Sequence, residues 1–493
     1  MRIVVDRSLP SWVVSLAENR GEIRTAGGVR ELVELVRGPT VLVLGSVEYF
    51  LFRRLRRGLA DREINSLLFY PVIVGHLLEH PEGEAAINTL LEYAVKWCEE
   101  VPRLASGIAP LLKPPRGKVS RRELLRVRGW VTYPESPVNV GGCAGPLAKA
   151  CHRCADICPS GALTITEAGL IINQVLCDEC GLCASICPIG ALQTPTFSDW
   201  HVKEMSALKP PEDRSSSWGV VFTCDDGLVK ISNISLRSGD PVLLPLRVPC
   251  VASVGRLAVL TALDSGLDGV VLYCPEDICG LKEAVNRVGK HLAPLGEVSG
   301  DLGAFMGLVG GPPERVSSAV RGRRSIVKEP PTPLVMDRRK DIMTLMSKLA
   351  RKDLDVPGLI YEAEVEPSCT MCGICVDNCP RGALSIEKRV EETALTFRAD
   401  LCIGCELCVE VCPEKALKIK EAAFNPKTDY RVAVVENSDS YARCKMCGAV
   451  IGPKSMVESI AEKLRKAGLE DAAEDAYLCP NCKAKKALEL TTY

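Results

Sequence analysis

Apolar runs and amphipathic segments alternate in the N-terminal part of the chain. Continuous apolar runs at residues 3–5, 41–44 and 68–74 have the length and composition of buried strands. Between residues 87 and 98, apolar side chains instead recur every three or four positions, which predicts a helix with one buried face. Cys98 falls on that face and is expected to be a buried structural thiol. We therefore predict an N-terminal α/β domain at residues 1–106.

A second alternation of strands and helices occupies the middle of the chain. Apolar strands are predicted at residues 219–223, 242–248 and 268–273, and helical patterns at 251–263 and 281–290 alternate with them. This order is typical of a small open parallel sheet. The pattern predicts a second α/β domain at residues 199–312.

Proline-rich stretches interrupt these patterns and indicate connectors. One is predicted at residues 107–140, and another at 313–365 contains a helix around 341–351. Three cysteine-rich segments occupy the rest of the chain, at residues 141–198, 366–420 and 421–493. The fold class predicted for the whole chain is multidomain α/β and α+β.

The overall charge is nearly balanced, and cysteine is the unusual residue. The 493 residues carry a formal net charge of −1, which argues against nucleic-acid binding. No apolar run has the length of a membrane span and no signal-peptide pattern is present, so we expect a cytoplasmic protein without membrane insertion. The chain has 25 cysteines and 5 histidines. In such a chain, cysteines are more often metal ligands than disulfides.

Two cysteine runs of identical spacing lie at residues 369–413. Each reads Cys-x2-Cys-x2-Cys-x3-Cys-Pro, the spacing of bacterial ferredoxins with two 4Fe-4S clusters. In that arrangement, the last cysteine of each run ligates the cluster of the other run. The expected ligand sets are Cys369, Cys372, Cys375 and Cys412, and Cys402, Cys405, Cys408 and Cys379. A pair of zinc knuckles is the alternative, although zinc sites rarely need four cysteines per run.

Residues 143–188 repeat the pattern with one irregular run. The second run keeps the spacing and the final proline, whereas the first has additional residues between Cys143 and Cys151. A Gly-Ala-Leu sequence follows both runs and recurs at residues 382–384, which supports a second ferredoxin-like module. The expected sets are Cys143, Cys151, Cys154 and Cys187, and Cys177, Cys180, Cys183 and Cys158. Without Cys143, the irregular site would suit a 3Fe cluster.

Four further cysteines belong to the middle α/β domain. Cys224, Cys250 and Cys274 lie at or just beyond the carboxyl ends of predicted strands, and Cys279 follows in the last of these loops. Open α/β sheets bind ligands at this edge. Four thiolates there would suit one 2Fe-2S cluster. A zinc ion and four unrelated buried cysteines are the alternatives.

Two CxxC pairs close the chain, one on each side of a helical pattern at residues 456–466. The pairs are Cys444 and Cys447, and Cys479 and Cys482. They are typical of a tetrahedral metal site, most simply a structural Zn²⁺ in a zinc-ribbon-like module. A rubredoxin-like iron is the alternative. These assignments use every cysteine except Cys98.

The middle domain resembles the delta subunit of methyl-viologen-reducing hydrogenase. The resemblance rests on Phe222-x-Cys224, Val248-Pro249-Cys250, residues 266–270 and Cys274-x4-Cys279. It implies a 2Fe-2S cluster and electron transfer between a hydrogenase or formate dehydrogenase and heterodisulfide reductase. That family often has further cysteines beside the first position, where this chain has Asp225 and Asp226.

The region before it resembles the FAD-containing subunit of heterodisulfide reductase. The resemblance rests on residues 187–192 followed by Thr196-Phe197-Ser198-Asp199, and more weakly on residues 42–98. The FAD-binding domain of that subunit is missing. Residues 141–145 keep only part of a dinucleotide loop, so neither FAD nor flavin-based bifurcation is expected.

The sequence therefore predicts four 4Fe-4S clusters, one 2Fe-2S cluster and one Zn²⁺ in a non-catalytic electron-transfer subunit. The expected partners are hydrogenase, dehydrogenase or heterodisulfide reductase-like subunits, or a soluble ferredoxin. A catalytic iron–sulfur oxidoreductase is the alternative, but His76, His80 and His201 are more easily explained as structural residues than as proton donors. A redox-sensing scaffold is the third hypothesis.

Overall fold

The structure is a computed structural model, and it divides into two compact units. It describes residues 2–27, 31, 35, 40–45, 69–108, 137–146, 151–275, 279–298, 304–325, 327 and 329–490. The first unit comprises Met1–Cys143 and His152–Leu354, and the second comprises Ala144–Cys151 and Asp355–Tyr493. Most of the predicted connector at 107–140 lies outside the described residues. The seven-part domain division stays a prediction.

The first unit begins with a parallel sheet in the order β2-β1-β3-β4. Its elements are β1 (Arg2–Asp6), α1 (Ser11–Glu18), β2 (Glu22–Ala26), β3 (Thr40–Leu44), β4 (Phe69–Ile73) and α2 (Gly83–Ile108). The inner strand β3 is buried at all five positions and the inner strand β1 at its three central positions, as expected for parallel strands covered on both faces. Cys98 lies on the buried face of α2, and burial raises the pKa of its thiol.

A small module with short strands and one-turn helices follows. Its elements are β5 (Val138–Asn139), α3 (Arg153–Ile157), β6 (Leu163–Thr166), β7 (Gly169–Ile172), α4 (Leu182–Ile186) and β8 (Leu192–Gln193). β6 and β7 form a hairpin, and β5 pairs antiparallel with β8. This is the ferredoxin-like arrangement expected from the cysteine runs.

The middle of the first unit confirms the predicted open parallel sheet, with the order β10-β9-β11-β12. Its elements are α5 (Asp199–Glu204), β9 (Trp218–Thr223), α6 (Asp225–Ser232), β10 (Val242–Arg247), α7 (Arg256–Asp264), β11 (Gly269–Cys274), α8 (Lys282–Leu292), β12 (Ala304–Gly310), α9 (Glu314–Val320) and α10 (Arg338–Leu349). The helix predicted from Val251 begins only at Arg256, because residues 251–253 form one 3-10 turn and Gly255 is extended.

The N-terminal sheet packs against the β10 edge of the second sheet. His76 Nε2 lies 3.0 Å from the carbonyl oxygen of Leu243, and the Tyr70 hydroxyl accepts a hydrogen bond from the Arg247 backbone N–H. Glu82 accepts hydrogen bonds from the backbone N–H groups of Ser215 and Ser216 and from the Trp218 indole. The contacts to Leu243 and Arg247 cover backbone groups of the edge strand β10 that would otherwise be unpaired.

The second unit fuses a ferredoxin-like core to the C-terminal cysteine pairs. Its elements are β13 (Ile360–Val365), α11 (Ile374–Asp377), β14 (Leu384–Lys388), β15 (Glu392–Phe397), α12 (Leu407–Glu410), β16 (Leu417–Ala422), β17 (Val434–Arg443), β18 (Val450–Pro453), α13 (Lys454–Lys466), α14 (Glu470–Asp475) and α15 (Pro480–Leu490). β13 pairs with β16, and the antiparallel sheet β14-β15-β17-β18 continues from the ferredoxin hairpin into the C-terminal module. Among the described helices, none is long and apolar enough to span a bilayer.

Candidate iron–sulfur and metal centres

Two cavities in the second unit are each lined by four cysteines. Cys369, Cys372, Cys375 and Cys412 line one, and Cys379, Cys402, Cys405 and Cys408 line the other. Each cavity therefore takes three cysteines from one run and the fourth from the other run. These groupings coincide with the two ligand sets expected from the crossed ferredoxin pattern.

Short helices and tight turns position these thiols. α11 and α12 are single turns that begin after Gly373 and Glu406, both of which have left-handed backbones. At Gly404, which is also left-handed, a Cβ would lie 2.2 Å from the Tyr361 ring. Glycine at this position therefore allows both the turn and the close approach of the ring.

The cavities suit a cluster with a positively charged metal core. Burial and the neighbouring thiolates raise the pKa of Cys375 to about 11, and the same two causes raise the pKa of Cys408. Four such thiols cannot all ionise in a largely apolar cavity without a compensating positive charge. Backbone N–H groups also point at the ligands, including Ala383 N at 3.2 Å from Cys379 Sγ and Ala416 N at 3.3 Å from Cys412 Sγ. Such hydrogen bonds to sulfur stabilise thiolate ligands and tune their clusters.

The two cavities differ in their access to solvent. Cys372 is exposed, whereas Cys402 and Cys408 are buried. At Cys372 the cysteine lining of the first cavity therefore reaches the protein surface.

In the first unit, the regular cysteine run surrounds an apolar core with Cys154 and Cys158. The charge of Cys183 interacts with those of Cys180, Cys177, Cys154 and Cys158, and burial together with these neighbours raises its pKa. Cys158, which the crossed pattern groups with the regular run, is among these cysteines, but so is Cys154, which the pattern assigns to the other set, so the set Cys177, Cys180, Cys183 and Cys158 also stays a prediction. Cys143 belongs to the first unit and Cys151 to the second, and the set Cys143, Cys151, Cys154 and Cys187 stays a prediction.

Three cysteines lie at the carboxyl edge of the second parallel sheet. β9 and β11 are adjacent, but the chain runs from β9 to β10 on one side and from β11 to β12 on the other, so this is the topological switch point at which open sheets bind ligands. Burial and the charges of Cys180, Cys224 and Cys274 raise the pKa of Cys250 to about 12. The proximity of Cys279, which follows the undescribed residues 276–278, to these thiols stays a prediction.

Asp225 occupies the position beside Cys224 where the resembled family often has a further cysteine. Its carboxylate accepts a 2.8 Å hydrogen bond from Arg247 Nε in a largely buried ion pair. This residue is therefore committed to a structural contact in the present structure, which leaves Cys224 as the thiol contributed by this loop.

The sheet-edge thiols lie directly beside the ferredoxin-like module. Cys180 is the first of the thiols whose charges act on Cys250. The two modules approach closely at two glycines, where a larger side chain would not fit. A Cβ at Gly255 would lie 2.8 Å from the Ser185 carbonyl oxygen, and a Cβ at Gly181 would lie 2.6 Å from Ser253 Cβ. These glycines let the two backbones approach each other close to Cys180 and Cys250 in the chain.

The C-terminal cysteines form a compact four-sulfur site. The Sγ atoms of Cys444, Cys447, Cys479 and Cys482 all lie within 4.8 Å of one another. The Cys447 and Cys479 sulfurs are 3.7 Å apart, which matches a tetrahedral ion with metal–sulfur bonds of about 2.3 Å. A hydrogen bond from the Cys479 backbone N–H lowers the pKa of Cys444 to about 6, so one thiolate is already favoured. Zinc and iron both fit this donor set.

The histidines considered as proton donors have structural contacts. His201 stacks on Trp97 with ring centroids 4.9 Å apart, and its Nδ1 accepts the Ser198 backbone N–H. Burial lowers the pKa of His201 to about 3 and that of His76 to about 4. His80 Nε2 lies 3.2 Å from the Asp240 carbonyl oxygen. All three rings join neighbouring elements of the first unit.

Comparisons with protein families identify the cysteine modules. Residues 368–416 match the model of the 4Fe-4S dicluster domain, and residues 170–193 match the model of the 4Fe-4S binding domain. The chain is an iron–sulfur cluster-binding protein. A comparison with curated proteins gave no match. The second matched segment contains the regular run from Cys177 to Cys187, and clusters of this type serve electron transfer.

Proposed function

We propose that the chain is a multi-cluster electron-transfer subunit of a redox complex. It relays electrons between a hydrogenase- or dehydrogenase-type partner and a heterodisulfide reductase-like or ferredoxin partner. Bound iron–sulfur clusters supply one-electron redox chemistry with little structural change. The sheet-edge site holds a 2Fe-2S cluster in this proposal, and the C-terminal site holds a zinc ion.

The observation that carries the proposal is the close packing of the segment after Cys250 against the segment after Cys180, where a Cβ at Gly181 would lie 2.6 Å from Ser253 Cβ. One thiol belongs to the sheet-edge group and the other to the matched 4Fe-4S segment, and both lie in the first unit. Two unrelated structural sites would not need to meet at ligand residues. A relay needs its centres to lie close together, because electrons pass efficiently only between closely spaced centres.

The arrangement at the switch point supports a cluster rather than four unrelated thiols. Cys224, Cys250 and Cys274 follow or end three different strands at one edge of the sheet, and burial raises the pKa of the Cys224 and Cys250 thiols. Their positions are also those that carry the resemblance to the hydrogenase delta subunit. The exposed Cys372 in the second unit supports an exchange point with an external partner.

The proposal is tested by the variant Cys250→Ser, with Cys98→Ser as a matched buried-thiol control. We expect the reduced Cys250→Ser protein to lose a 2Fe-2S EPR signal and keep its 4Fe-4S signals, while Cys98→Ser keeps both. With a hydrogenase under hydrogen as donor and a soluble ferredoxin as acceptor, the wild type should transfer electrons and Cys250→Ser should not. Unchanged transfer through Cys250→Ser, or zinc in place of iron at this site, would contradict the proposal.

A further inference from the structure

A buried arginine from outside the ferredoxin-like module lies against one of its cysteine ligands. Arg338 is the first residue of α10, and its side chain is 8% exposed. Its Nη1 donates to the carbonyl oxygen of Cys187 at 3.0 Å and to that of Ala184. Both carbonyls lie at the C-terminal end of α4, where a cation is favourable.

Asp199 holds this guanidinium in place. Arg338 Nε lies 2.8 Å from one carboxylate oxygen of Asp199, and Nη2 lies 2.7 Å from the other. Gln193 donates to the same carboxylate at 3.0 Å and also lies within 3.4 Å of Arg338 Nη2. This bidentate pairing fixes the positively charged guanidinium against Cys187, with the negatively charged carboxylate of Asp199 bound to the guanidinium.

The charges of Arg338 and Cys187 interact directly. Burial opposes the guanidinium charge, but Asp199 and the Cys187 thiolate outweigh that cost and raise the pKa of Arg338 above its ordinary value. In a buried, weakly polar environment such interactions are much stronger than in water. The reduction potential of an iron–sulfur cluster depends on this local charge, because reduction adds a negative charge.

We propose that Arg338 and Asp199 set the reduction potential of the 4Fe-4S cluster that is ligated by Cys187. The guanidinium stabilises the reduced cluster and raises its potential, and the carboxylate, which contacts the guanidinium, opposes this effect. Arg338 is thus a tuning residue supplied by α10, and it lies 151 residues from the ligand in sequence. The inference rests on 4Fe-4S binding by the matched segment and not on the identity of any partner.

The test is an EPR-monitored redox titration of the anaerobically purified full-length protein. The relevant signal is identified as the one that Cys187→Ser changes. We expect Arg338→Gln to lower the midpoint potential of that signal and Asp199→Asn to raise it. Arg338→Lys, which keeps the positive charge, should stay closer to the wild type than Arg338→Gln. Lys340→Gln is the matched control, because it removes an exposed charge from the same helix.

The opposite signs distinguish tuning from a purely structural role. An ion pair that only clamps the loop would shift the potential in the same direction in Arg338→Gln and Asp199→Asn, or in neither, and this result overturns the proposal. If Arg338→Gln loses iron, the other variants decide. A raised midpoint potential in Asp199→Asn, together with a nearly unchanged midpoint potential in Arg338→Lys, supports the proposal. A midpoint potential in Asp199→Asn at or below that of the wild type overturns it.

Discussion

Replacing Gly255 by alanine perturbs the contact between the sheet-edge thiols and the ferredoxin-like module. The new Cβ would lie 2.8 Å from the Ser185 carbonyl oxygen and 3.3 Å from Ser185 Cα, whereas ordinary contacts begin near 3.4 Å. Because both neighbouring atoms belong to the backbone, the segment from Cys250 to Gly255 must move by about 0.6 Å, the difference between 3.4 and 2.8 Å. Overpacking of this kind costs about 1–3 kcal/mol.

We expect two effects of Gly255→Ala. The thermal midpoint of the first unit should fall, at about 2–4 °C per kcal/mol for a domain of ordinary size. The magnetic interaction between the reduced sheet-edge and ferredoxin-like clusters should also weaken, since Cys250 moves away from Cys180. Calorimetry and EPR on the same anaerobic sample measure both effects.

Gly289→Ala is the matched control for this variant. Gly289 lies in α8, and its added Cβ would come no closer than 3.8 Å to Leu308. Alanine there should be neutral or stabilising by about 0.5–1 kcal/mol, because glycine is unfavourable inside a helix. If Gly255→Ala matched Gly289→Ala in midpoint and in magnetic interaction, the close-contact reasoning would be refuted.

Three further predictions concern the remaining contacts. Burial would raise the pKa of Glu82, but hydrogen bonds from Ser215, Trp218 and Ser216 outweigh it and lower the pKa to about 2. Glu82→Ala should therefore destabilise the first unit at pH 7 by about 1–3 kcal/mol for each buried donor left unpaired. Denaturant unfolding measures this loss. Burial lowers the pKa of His201 to about 3. The contribution of its neutral ring to the free energy of unfolding is therefore complete above about pH 6.5 and declines as the pH falls toward 3. His201→Gln should lose less stability between pH 6.5 and 5 than the wild type does. Cys447→Ser should remove the C-terminal metal ion and leave the 4Fe-4S iron content unchanged by elemental analysis. A loss of more than one iron atom per chain would show that the module is needed for the neighbouring clusters.

Local spacing made the cysteine modules predictable. Each run encodes a loop around a cluster, so the groupings at Cys369 and Cys402 follow from the spacing alone, and the cavities of the second unit reproduce them. The sheet-edge thiols were predictable for a different reason, because parallel strands place their carboxyl ends at one edge. The position of Cys250 beside Cys180 needed the packing of two modules, which no local pattern describes.

Long-range charged contacts were beyond sequence reasoning. Arg338 and Asp199 are 139 residues apart, and neither carries a spacing signal that points to the other or to Cys187. The hydrogen bond from the Trp218 indole to the Glu82 carboxylate joins residues that are 136 positions apart. The same limit applies to β17, which pairs with both β15 and β18 and so joins residues 366–420 to residues 421–493, for which the sequence predicts separate modules.

The central claim, a relay from a sheet-edge 2Fe-2S cluster into ferredoxin-like clusters, is tested most directly by elemental analysis. Iron, acid-labile sulfide and zinc are measured per chain on anaerobically purified protein. The cysteine assignment predicts about eighteen iron atoms, from four 4Fe-4S clusters and one 2Fe-2S cluster, and about one zinc. About sixteen irons with two zincs would make the sheet edge a zinc site and contradict the relay.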